Sequence, residues 1–154
     1  MFNPLLSRQF DNTYRGHKLA LWLFALIVSV RIAQGLFVIF GGYSVVSSAD
    51  GIPLDTYTPA AAQTVVSLSA LLGLYLFLIG LLCILVLVRY RSMISFMFAL
   101  LLLQHLGKSL IFHFLPIARI GAPPGPAVNL VLLALMIVGL VLSLWNQDSP
   151  QGQK

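Results

Sequence analysis

Four long apolar runs dominate the chain, at residues 19–40, 66–88, 93–115 and 127–145. Crossing the hydrocarbon of a bilayer takes ~20 apolar residues at a rise of 1.5 Å each, so every run is long enough to span it. The pattern predicts an all-α integral membrane protein, a bundle of four transmembrane helices forming a single membrane domain over residues 1–154. Short tails flank the bundle, and a long outer loop at 41–65 joins the first two spans.

The polar punctuation refines those limits. The first connection, GGYSVVSSADGIPLDTYTPAAAQT, holds turn formers and then Thr58-Pro59, a helix N-cap followed by proline at the first helical position. Helix 2 is therefore expected to start near Pro59, above the membrane. The second connection is only RYRS, which makes helices 2 and 3 adjacent antiparallel neighbours, whereas PIARIGAPPGP forms a rigid, proline-rich third connection. No internal repeat is evident.

Composition supports the bilayer and excludes several function classes. Hydrophobic residues make up 59% and charged residues only 8%, with a mean hydropathy of +0.96; soluble domains carry about a quarter charged residues. A net charge of +5 raises nucleic acid as a partner, but the cations sit beside the spans rather than in an aromatic-interleaved patch. They read as topology signals. Arg8, Arg15, Lys18, Arg89, Arg91 and Lys154 fall on one side and Arg119 alone on the other, so both termini are expected in the cytoplasm. Trp22, Tyr90 and Trp145 mark the same boundary, and Tyr43 and Tyr57 the opposite one, as an interfacial aromatic belt requires. Compactness suggests a bacterial inner membrane. The first run is too long for a signal-peptide core, and Ser47-Ser48-Ala49 is expected to remain uncut. The single cysteine, Cys83, excludes an intrachain disulfide and a thiolate metal cluster.

Rows of small residues four apart predict helix contacts: Ala25, Ser29 and Ala33; Ser69 and Gly73; Ser95 and Ala99; Gly139 and Ser143. Polar residues inside the spans are the candidate chemistry. Arg31 lies roughly 18 Å into the first run, near the bilayer centre, with Gln34 one turn further on. In the third run Gln104 and His105 reach nearly the same depth, Lys108 lies one turn beyond, and Ser109 and His113 complete a polar arc. Helices 1 and 3 run in the same direction. Arg31 can therefore share a layer with Gln104 and His105, and Gln34 with Lys108. The chain has no glutamate, and Asp11, Asp50, Asp55 and Asp148 all lie outside the runs. The intramembrane cations thus lack a carboxylate at their own depth. A ligand, a lipid headgroup or a partner would have to supply one, unless Asp50 or Asp55 folds in with the outer loop.

Three readings follow. In the first, Arg31, Gln34, Gln104, His105 and Lys108 form a ligand-binding layer for an anionic lipid or a quinone-like amphiphile. The second is an accessory or assembly subunit of a larger membrane complex, or a homo-oligomer, with the polar layer serving structure. The third is an organic-anion transporter, since no membrane carboxylate is present to bind cations. A b-type haem held by axial ligands from facing helices is disfavoured, because His105 and His113 share one helix, and no metal or covalent haem signature is found. Enzyme chemistry has the least support: His105 and Ser109, four residues apart, lack a carboxylate to orient the histidine. In helix number and size the chain broadly resembles the DoxX-like proteins, a resemblance that assigns no residue.

Overall fold

The computed structural model describes residue 14 and residues 16–145. Arg8, Arg15, Lys154, Asp11 and Asp148 lie outside the described residues. Four helices follow in order: α1 (Lys18–Ser48), α2 (Pro59–Arg89), α3 (Ile94–Phe114) and α4 (Pro124–Leu144). All four are long and apolar enough to cross a membrane when the turn at Arg91–Met93 is counted with α3. Large apolar side chains cover the outside, among them Phe40, Leu103 and Val88. Such a surface is insoluble in water and suited to lipid.

The helix ends follow local chemistry. At the start of α1, His17 Nδ1 accepts a hydrogen bond from Leu19 N at 3.1 Å. Thr58 Oγ1 accepts from Ala61 N at 3.3 Å and Pro59 opens α2, so this helix begins where the sequence places it. At its other end, Arg91 Nε donates to Leu87 O at 3.0 Å, closing a terminal carbonyl. The first helix departs from expectation. It continues past residue 40 to Ser48, with a kink at Gly42, whose φ of 48° and ψ of −126° break the helical geometry. That left-handed φ is open to glycine and strained for other residues. The irregular part of the first connection is accordingly shorter than 41–65.

Helix pairing also differs from the sequence-based expectation. Short as their link is, α2 and α3 share few close contacts; α2 lies mainly along α1, and α3 along α4, which also touches α1. Two seams explain this. A Cβ on Gly35 would sit 2.8 Å from Gly73 O, and one on Gly73 would sit 2.9 Å from Gly35 O, so the α1 and α2 backbones meet at this pair of glycines. On the other side the Phe98 ring lies on Gly139, and Ser95 Oγ donates to Ser143 O at 3.2 Å. Ser95 of the expected α3 row and Gly139 and Ser143 of the α4 row thus lie at this seam. The Ala25–Ser29 row does not make the α1 seam: Ser29 is exposed and its hydroxyl donates to Ala25 O within its own helix.

Phe24, Ile27, Cys83, Phe98, Leu101 and Met136 fill the centre of the bundle, with the Phe24 and Phe98 rings edge to face at 5.1 Å. At one end the start of α1 meets the end of α4 through His17 N and Leu142 O at 3.2 Å. At the other end the first and third connections are tied together. Ile120 N donates to Gly51 O at 2.8 Å and Gly125 N to Ala49 O at 3.1 Å, above a second small core of Val46, Leu54 and Ala62.

Candidate functional site

The fold brings Arg31 of α1 and His105 of α3 together. Arg31 is 5% exposed and His105 6%, and Arg31 Nη2 lies 3.3 Å from His105 Nδ1. A guanidinium has only donors, so Nδ1 must be the acceptor and the imidazole carries its hydrogen on Nε2. The expected layer of Arg31 with His105 is thus present. Charge-assisted hydrogen bonding holds it where no carboxylate stands.

Other polar atoms in this layer have no partner. Arg31 Nε and Gln104 Oε1 are both buried without a hydrogen bond. Burying a polar group without compensation costs about 1–3 kcal/mol in protein interiors, so two in one place stand out against the usual satisfaction of buried polar atoms. Both residues line the same crevice, together with Val28 of α1, Leu76, Ile79, Gly80 and Cys83 of α2, and Leu101 of α3. About 220 Å³ of space between atoms, part of it open to the surroundings, marks the crevice, which as shaped has no room for a water molecule. It lies among α1, α2 and α3, on the side where the last two share few close contacts.

The remaining candidates take different positions. Gln34 and Lys108 are half-buried and do not line the crevice. Ser109 and His113 are exposed, so the polar arc of α3 divides into an inner part at Gln104 and His105 and an outer part on the surface. His113 stacks edge to face with Phe114 at 5.6 Å. Cys83, which the sequence offers chiefly as a reason to exclude disulfides, proves to be a wall of the crevice. Gly73, Gly80, Cys83 and Val86 are buried at helical spacing on α2, and the seven-residue interval between the two glycines was the available signal for that inner face.

The end of the bundle opposite the start of α1 supplies the carboxylate that is missing from the spans. Asp50, just beyond α1, is half-buried by the paired loops and within electrostatic reach of Arg119 and Lys108. Burial pushes its carboxyl above the ordinary range, while Arg119 and then Lys108 pull it back. Arg119 itself lies 5.8 Å over the ring of Phe112. Asp55 is exposed. Asp50 thus answers the charge of Lys108 from above, and the deeper Arg31 is met by His105.

Comparison with known protein families, with curated proteins and with solved structures returns no significant match. The functional reading therefore rests on the residues themselves.

Proposed function

We propose that this chain is a small polytopic binding protein of the membrane, whose Arg31–Gln104 crevice takes the polar head of an anionic lipid or quinone-like amphiphile. One observation carries the reading: a buried donor and a buried acceptor, both unpartnered, belong to residues lining one intramembrane crevice. Intramembrane ionisable residues are costly, and a binding role accounts for one that lacks a carboxylate partner. His105, which does not line the crevice, holds the guanidinium in place from behind. Gln34 and Lys108 would act outside the crevice, at the outer half of the layer, where a charged or hydrated part of the guest could reach them.

This reading is favoured over an accessory subunit because Arg31 and Gln104 line an internal crevice rather than an outward-facing patch. The proposal includes both termini in the cytoplasm of a bacterial inner membrane, supported by Lys18, Arg89 and Arg91 at the same end of the bundle. Mass spectrometry of lipids co-purified with wild-type protein and with Arg31→Leu tests the function. An amphiphile enriched with the wild type and lost from the variant is expected. Equal lipid profiles would overturn the reading.

A further inference from the structure

Resting on that binding reading, the geometry points to a narrower ligand class: we infer that the crevice recognises a hydroxyl on the head of that amphiphile, a quinol rather than a quinone or a hydroxyl-bearing rather than a carboxylate head, which accepts from Arg31 Nε–H, donates to Gln104 Oε1, and arrives from the bilayer between α2 and α3. The hydrogen-bond chemistry of the two orphaned atoms carries the argument. Arg31 Nε can only donate and Gln104 Oε1 can only accept. A guest that satisfies both with one polar group must present an acceptor and a donor on that group. A hydroxyl does so with a single atom. A ketone, an ether or a carboxylate answers Arg31 and leaves the glutamine oxygen buried and unpaired, a mismatch by which polar sites discriminate strongly between analogues.

The surroundings fix the rest of the molecule. Val28, Leu76, Ile79 and Leu101 give the crevice apolar walls, so the hydroxyl must be carried on an apolar body. At the loop end of the bundle the first and third connections are tied to each other through Gly51, Ile120, Ala49 and Gly125. Sideways the barrier is lower. Few close contacts join α2 to α3, while the glycine seam fixes α2 to α1 and the Ser95–Ser143 bond fixes α3 to α4. Leu76, Ile79 and Gln104, which line the crevice from these two helices, are only half-buried. Parting α2 from α3 by a side-chain width widens the crevice without breaking either seam.

The test uses the full-length protein in lipid nanodiscs loaded separately with oleyl alcohol, oleyl methyl ether or oleate, with retained probe counted by native mass spectrometry. The three probes share a chain and differ at the head. Wild type should retain the alcohol about tenfold better than the ether, a ratio equivalent to about 1.4 kcal/mol. Gln104→Met should bring that ratio to within about twofold. Ether held as well as alcohol in the wild type overturns the hydroxyl assignment while leaving a binding site in place. Oleate held best does the same, and would mean that Gln104 turns its NH2 inward. If wild type holds none of the three above the level of Arg31→Leu, the binding reading itself fails. The alcohol-to-ether ratio is read on the unmodified chain, so the outcome does not depend on a variant folding.

Discussion

Removing His105 and removing Arg31 should have opposite consequences, although each breaks the same contact. An arginine at the centre of a transmembrane helix costs ~2.5–3.5 kcal/mol on insertion scales, and a hydrogen bond to a charged group returns about 1.5–3 kcal/mol. His105→Leu deletes that bond and strands Nη2 beside an Nε that already lacks a partner. A loss of about 2–3 kcal/mol is expected. Arg31→Leu forfeits the same bond but also removes the buried charge, so its net effect should lie between zero and about 1 kcal/mol of stabilisation. The double variant should then be at least as stable as the wild type, giving a coupling between the two sites of about 2–3 kcal/mol. Titration of micelle-solubilised protein with sodium dodecyl sulfate, followed by the fluorescence of Trp22 and Trp145, measures all four chains. Should Arg31→Leu cost as much as His105→Leu, or His105→Leu cost under about 0.5 kcal/mol, the account of this pair as a compensated burden is wrong.

The glycine seam predicts that Gly35→Leu, whose Cβ would meet Gly73 O at 2.8 Å and Phe77 N at 2.9 Å, destabilises the bundle by about 2–3 kcal/mol. Gly107→Ala, with nothing within 4 Å of the added carbon, should be neutral or gain up to about 1 kcal/mol in helix propensity; both follow from the same titration. Asp50 predicts a pH dependence. Its carboxyl is raised above the ordinary value of about 3.9 by burial, so below that value it contributes nothing, and above its folded-state pKa the native state carries an unfavourable carboxylate. Its contribution to stability should therefore fall as pH climbs through that window, and Asp50→Asn should flatten the slope and melt no lower than wild type at pH 7. A lower melting temperature for this variant at pH 7 would mean that attraction to Arg119 and Lys108 outweighs burial.

Much of this fold is legible in the chain, for reasons that also explain what is not. Spans are written in continuous apolar runs, and Thr58-Pro59 announces a helix start by cap chemistry, so both can be read locally. The layer of Arg31 with His105 comes from counting depth along two parallel helices, which needs only the rise per residue. Pairing is less accessible. A short link fixes where α2 ends and α3 begins, not how they lie, and backbone contact at Gly35 and Gly73 outweighs the proximity that RYRS suggests. The extension of α1 through Gly42 is hidden because GGYS has the composition of a turn, and only the conformation shows a kink with helix on both sides. The position of Asp50 depends on how two separate loops bond to each other, which neither loop encodes alone.

The bond between Arg31 and His105 spans 74 residues of sequence, and that separation bears on biogenesis. At synthesis rates of about 5–20 residues per second, the arginine emerges roughly 4–15 s before its histidine has been made. For that interval the first span carries a charge that nothing later in the chain can yet answer. During that interval the first span bears the cost of its arginine, ~2.5–3.5 kcal/mol on insertion scales, offset only by its own apolar residues. Arrival of the third span supplies His105 and lightens that cost.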